Sequence, residues 1–161
     1  MITIQVATKK DFKQIWPIFN SIVSKGETYV YSPQTSYDEA YDIWMKRPLQ
    51  TFVALKESSI VGTYYIKPNY SGLGNHICSC GYMVATNYRQ QGIATAMCTH
   101  SFKQAKQLNF DAMQYNYVVS TNKASISLWK KMGFNIVGTV PNAFNHSLHG
   151  KIDTHIMYKI L

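Results

Sequence analysis

Arg89-Gln90-Gln91-Gly92-Ile93-Ala94-Thr95 is the stretch from which the rest of the chain is read. It follows an apolar run, Tyr82-Met83-Val84-Ala85, and opens a helical pattern that reaches about residue 108. A strand ends, a short turn reverses the chain, and a helix begins at a glycine. The first turn of a helix leaves backbone N–H groups without partners, and the helix dipole adds partial positive charge there. Such an end is an anion site, most often for phosphate. Gly92 lets the backbone approach an anion closely, Ala94 adds little bulk, and Arg89 brings a fixed charge suited to a diphosphate. An ordinary strand-to-helix turn with a solvated arginine has the same local pattern, so the stretch needs company to be read.

That company lies downstream, in Asn122-x-x-Ser125-x-x-Leu128-Trp129-x-Lys131-x-Gly133-Phe134. The two motifs, in this order and at this spacing, resemble the GCN5-related N-acetyltransferase (GNAT) family, and the resemblance covers nearly the whole chain. It implies an enzyme that binds acetyl-coenzyme A (acetyl-CoA) and passes the acetyl group to an amine. It implies an α/β fold: a central mixed, mostly antiparallel sheet of about seven strands covered by about four helices. It also implies two parallel strands, ending near Val84 and Val119, that splay apart to admit the pantetheine arm. A closer resemblance is carried by Lys67-Pro68-Asn69, His76-Ile77-Cys78, Asn116, Ser120-x-Asn122, Leu128-Trp129 and Pro141-Asn142. These residues look like the GNAT branch that includes fungal acetyltransferases acting on proline analogues such as azetidine-2-carboxylate. That branch has an asparagine where Ser79 stands here, so an identical acceptor does not follow.

Composition sets the bounds. At 161 residues and 46% hydrophobic content, the chain is expected to form a single domain, residues 1–161, with a substantial core. No apolar run approaches membrane-spanning length and the start lacks a signal-peptide pattern, so a cytoplasmic enzyme without membrane contact is expected. The net charge of +8 suits an anionic ligand, but the lysines form no basic block, which argues against nucleic acid. Cys78 and Cys80, if on one strand, lie roughly 7 Å apart on one face, too far for a disulfide. With Cys98 they read as reduced, mostly buried thiols. The histidines form no ligand set and no metal is expected; His100, His146, His149 and His155 read as surface or loop residues. A homodimer is left open.

Periodicity places the elements. Residues 2–6 alternate as a strand. Thr8 can cap a helix whose apolar face is Phe12, Ile15, Trp16, Phe19, Ile22 and Val23, with a kink or break expected at Pro17 and an end at Gly26. Residues 27–33 form an aromatic-rich loop. Ser36-x-x-Glu39 is a capping box opening a second helix. Strands are expected at 51–55 and 60–66, a loop at 67–75, a strand at 77–84 and a helix at 92–108. The strand at 112–119 should put Met113, Tyr115, Tyr117 and Val119 on one face, and Gln114, Asn116 and Val118 on the other. A helix at 124–132 ends at Gly133, a strand runs from 134 to about 140, residues 141–150 form a loop, and 153–160 close the chain as a strand.

Acetyl transfer needs a polarised thioester carbonyl, a neutral amine and a departing thiolate that is stabilised or protonated. The resemblance assigns the first to backbone N–H groups of residues 83–85, so Met83 and Val84 matter through their backbone. It puts Arg89, Gln90, Gln91, Gly92, Ile93, Ala94 and Thr95 around the diphosphate, with Asn122, Ser125 and Trp129 completing the cofactor site. Asn122 is also a natural N-cap for the next helix, a role worth ~1 kcal/mol. Many family members carry a tyrosine general acid in the Leu128-Trp129 pair. An indole N–H donates but is not an acid near neutral pH, so that role is not carried onto Trp129; Tyr115, Tyr117 or water are the alternatives, or the thiolate leaves unaided. The strand before the phosphate loop holds no carboxylate. The resemblance implies Glu27 as the best-placed acid for taking the amine proton, against an ordinary solvated loop glutamate; Tyr82 is the second candidate catalytic group, with His76 or water as alternatives. Asn116 is singled out for the acceptor: an amide buried in a strand needs a partner, which a neighbouring loop could supply, but the closer resemblance implies that the asparagine at this position helps hold the acceptor. The acceptor is expected to be a small amine such as an amino or imino acid; a protein N-terminus or lysine as acceptor, and a non-catalytic acetyl-CoA-binding module, are the alternatives.

Overall fold

The structure, a computed structural model, describes residues 1–161. Seven strands form one sheet in the order β1-β2-β3-β4-β5-β7-β6. The strands are β1 (Ile2–Val6), β2 (Gln50–Lys56), β3 (Ser59–Pro68), β4 (Ile77–Val84), β5 (Ala112–Val119), β6 (Asn135–His146) and β7 (Gly150–Ile160). Four helices cover it: α1 (Phe12–Val23), α2 (Tyr37–Tyr41), α3 (Ile93–Gln107) and α4 (Lys123–Lys131). Every neighbouring pair is antiparallel except β4 and β5. Fold class and element order are as the sequence led one to expect. No helix is long and apolar enough to cross a membrane.

Strand alternation splits the core between the two faces of the sheet. Phe52, Tyr64, Ile66, Cys78 and Cys80 face α3 and α4. Val53, Tyr65 and Met83 face α1 and Trp44, which follows α2. Gly62 in β3 brings α3 close: a Cβ there would lie 3.0 Å from Met97 Cε and 3.2 Å from the Met83 carbonyl. The Ser36–Glu39 capping box forms as read, with each residue bonded to the other's backbone amide.

Several expectations are corrected. Helix α1 runs through Pro17 without a break. Both Pro17 and Lys13 are exposed, so the Lys13 carbonyl, which loses its helical donor, can be hydrated instead. Thr8 and Asp11 cap a short 3-10 turn, Lys9–Asp11, ahead of α1. Residues 141–146 are strand, not loop, so β6 and β7 form a long hairpin. Pro141 is tolerated because β6 is an edge strand and its register slips between Val140 and Phe144. In β5 a register shift between Tyr115 and Val118 interrupts the alternation. Val118 therefore joins the core beside Met113 and Tyr115, while Tyr117 is exposed.

Candidate active site

The first wall is the start of α3. After β4 the chain makes a 3-10 turn, Thr86–Tyr88, and Arg89 is extended. Gln90 (φ 60°) and Gly92 (φ 76°) are both left-handed. The first bond of the helix runs from the Ala96 N–H to the Gly92 carbonyl. None of the amides of residues 90–95 meets an acceptor within the protein. A Cβ on Gly92 would find nothing within 4 Å, so any side chain there would project into open space. These are the features of an anion cradle.

The second wall is a gap in the sheet. β4 and β5 pair only at Ile77↔Ala112 and Cys78↔Met113, then part. At the ends of the β3–β4 ladder the Ala85 N–H donates to the Val61 carbonyl (2.9 Å) and the Asn69 N–H to the Ile77 carbonyl (2.8 Å). Odd-numbered residues of β4 therefore bond β3, and alternation turns the N–H and C=O groups of Cys80, Tyr82 and Val84 toward the gap. Pro68 fits the same rule, since it pairs Cys78 where β3 needs no donor. The Met83 amide belongs to the ladder; the Val84 amide is free for a ligand. The Tyr82 carbonyl already accepts a bond from the Tyr29 hydroxyl at 2.7 Å. Burial pushes the Tyr29 phenol well above its ordinary pKa, with the neighbouring Tyr31 adding to the shift, so it stays a donor.

Aromatic side chains floor the gap. The Tyr82 hydroxyl lies 2.7 Å from Ser101 Oγ and 2.9 Å from the Tyr115 hydroxyl. The Trp129 ring sits 5.0 Å from Tyr82 and 4.9 Å from Tyr115. Burial, then the nearby Cys80, raises the Tyr82 pKa; burial, then Cys98, raises that of Tyr115. Both phenols hold their protons at neutral pH, which suits donors and not bases.

Gap and helix start open into one cavity of about 880 Å³. Met83, Val84, Arg89, Gln90, Gly92, Ile93, Ala94, Thr95, Asn122, Ser125 and Trp129 all line it. Gln91 does not; its side chain turns to Lys56 Nζ (3.0 Å) and the Asn87 carbonyl (3.4 Å). Asn122 caps α4, its Oδ1 accepting from the Ser125 N–H at 3.2 Å, which leaves its Nδ2 available. Glu27, Tyr82 and Asn116 lie on the same cavity. Glu27 is the one carboxylate among the lining residues, against the cations Lys25, Lys67 and Arg89.

Asn116 is exposed, which corrects the premise that its amide is buried in the strand. The bulge in β5 turns it out, where its Nδ2 donates to Asn69 Oδ1 (2.6 Å) and its Oδ1 accepts from Gln114 Nε2 (2.9 Å). His146 is a second correction: it is buried in β6, on the cavity wall, and not a loop residue. The repeat of Phe144 and His146 two positions apart was a signal for it, masked by Pro141. Lys25 and Lys67 were also missed, and Tyr29 was not singled out, although the resemblance made its loop a wall of the acceptor site. The three cysteines are free and buried, as expected.

Comparison with known proteins accords with this geometry. Residues 13–134 match the Acetyltransferase (GNAT) family. The chain is 28% identical over 154 residues to N-acetyltransferase aca1 of Schizosaccharomyces pombe, covering 85% of this chain and 74% of that one. A GCN5-related N-acetyltransferase from Kribbella flavida superposes with a TM-score of 0.94 at 36% identity, over 99% of this chain and 98% of the other. The Salmonella typhimurium protein yncA, solved with its cofactor acetyl-CoA, shares the fold: TM-score 0.87, 20% identity, 99% and 94% coverage. With β4 and β5 parted beyond their first two residue pairs and a family match spanning both motifs, the chain belongs to the GNAT family of acetyltransferases.

Proposed function

We propose that this enzyme moves the acetyl group of acetyl-CoA to the primary or secondary amine of a small molecule, an amino or imino acid. The observation that carries the small acceptor is a backbone bridge. The Ser147 N–H donates to the Gly26 carbonyl at 3.0 Å, tying the loop after α1 to the β6–β7 turn. Residues on either side of both partners line the cavity, so the bridge closes that side against a bulky acceptor. Tyr29, Tyr31 and Tyr65 add aromatic walls.

The residues fit the cosubstrate. The unpaired amides of residues 90–95 and the Arg89 side chain would hold the diphosphate; Asn122 Nδ2 and the gap-facing groups of β4 would hold the pantetheine arm. Acetyl-CoA supplies an activated thioester, which the neutral amine attacks directly. We assign the Val84 amide, free on the gap side of β4, to donating to the carbonyl oxygen as charge develops there. Glu27, the only carboxylate on the cavity, is the group we assign to the amine's proton. Asn116 is assigned to holding the acceptor. The protonated Tyr82–Tyr115 pair, on the cavity wall, is the hydroxyl source we assign to the departing thiolate. Three buried free thiols fit a reducing, cytoplasmic setting.

The test is to incubate the protein with acetyl-CoA and a panel of amines, following free thiol and product mass. Thiol release with acetylated amino or imino acids is the expected result. Release only with peptide N-termini or lysyl peptides would contradict the small acceptor, and binding without release would make the protein a non-catalytic acetyl-CoA module.

A further inference from the structure

His146 is the cavity residue that the mechanism leaves without a task. Its side chain is 6% exposed and lies on the cavity wall. The turn after β6 folds back so that the Leu148 N–H donates to His146 Nδ1 at 3.1 Å. A nitrogen that accepts from an amide keeps its lone pair, so the neutral ring carries its proton on Nε2. That Nε2–H has no partner within the protein, yet it is not among the buried polar atoms left unsatisfied. Nε2 therefore keeps some contact with open space, and the open space that His146 lines is the cavity. The ring is held in place by His149, whose centroid is 4.6 Å away, and by the edge of Phe144 at 6.1 Å. With Nδ1 occupied and Nε2 protonated, His146 offers the cavity a fixed donor and no base.

The surroundings indicate what it donates to. The Gly26–Ser147 bridge brings Lys25 alongside this turn, and Lys25 lines the cavity. Lys67 lines it too, its ammonium 5.7 Å above the Tyr65 ring. Three cations, Lys25, Lys67 and Arg89, against the single carboxylate Glu27 leave the lining net positive, and a neutral donor there favours an anionic acceptor atom. Resting on the small-amine reading, we propose that His146 is a specificity-determining residue: its Nε2–H binds a carboxylate carried beside the acceptor's amine, in a subsite made positive by Lys25 and Lys67.

The experiment pairs each acid with its decarboxylated amine, proline with pyrrolidine and alanine with ethylamine, and measures KM and kcat. In His146→Leu the KM for the acids should rise about tenfold or more, while kcat and the KM values for the plain amines and acetyl-CoA stay within about twofold. His146→Gln, whose side-chain amide can replace the Nε2–H, should stay near wild type. Lys25→Gln, at an exposed position that folding does not depend on, should raise the acid KM in the same selective way, by about twofold to fivefold. Equal losses for acid and amine, or no loss for the acids in either variant, overturn the proposal. If wild type acetylates plain amines as well as acids, the carboxylate subsite falls and the small-amine function stands. If it acetylates neither, both fall.

Discussion

Trp129 stands where a tyrosine would offer an acid, and its indole packs between the rings of Tyr82 and Tyr115. Its place is that of a wall, not a proton source, so Trp129→Phe should keep kcat within about fivefold, since an indole N–H has no acid to lose. Steady-state rates with saturating acetyl-CoA check this, and a near-total loss would mean the indole N–H does chemistry. Tyr29 supplies another residue-scale expectation. Removing its hydroxyl in Tyr29→Phe frees the Tyr82 carbonyl in the gap, at a stability cost of about 1 kcal/mol by urea unfolding; an unchanged midpoint would show that water replaces the bond without loss. Gly92 as a helix start and Asn122 as a helix cap were legible from the sequence, because each is tied to a local pattern. His146 and Tyr29 were not, since their roles depend on contacts with turns and strands distant in the chain.

Elements were legible where periodicity and boundary residues agreed. Strand β4 and helix α3 came out nearly to the residue for that reason. Reading failed where a proline was taken at face value. Pro17 is carried inside α1 on a wet face, and Pro141 inside an edge strand; both depend on which neighbours the element has, which no local window records. The β5 bulge is a third case, invisible in an alternating apolar run. The α1 correction yields a prediction. Pro17→Ala restores a bond to the Lys13 carbonyl and should stabilise the protein by about 1–2 kcal/mol in chemical denaturation. Destabilisation would mean the proline sets a bend that the packing of Phe12, Ile15 and Phe19 requires.

At the scale of the molecule, the sheet separates two cores, and buried titratable groups set how it responds to pH. Burial pushes the Cys98 thiol from 9.0 up to about 12, and raises Cys80, Tyr82 and Tyr115 as well. A raised folded-state pKa contributes stability that is whole below the unfolded value and is lost as pH rises toward the folded one. Stability should therefore hold to about pH 9 and then decline, with buried phenols ionising only as the chain unfolds. Absorbance titration of the tyrosines beside an unfolding curve checks this; ordinary ionisation of all phenols in the native state would contradict it. The whole account, though, depends on the parted sheet and the α3 start acting together as one acetyl-CoA site. Calorimetric titration of acetyl-CoA into wild type and Gly92→Glu tests that most directly. The new side chain would meet no protein atom, and its left-handed backbone costs only about 1–2 kcal/mol, so the fold should survive, while its carboxylate and bulk enter the anion cradle. The account predicts saturable binding to wild type and an affinity lower by about a hundredfold or more in the variant; equal affinity in the two proteins would contradict it.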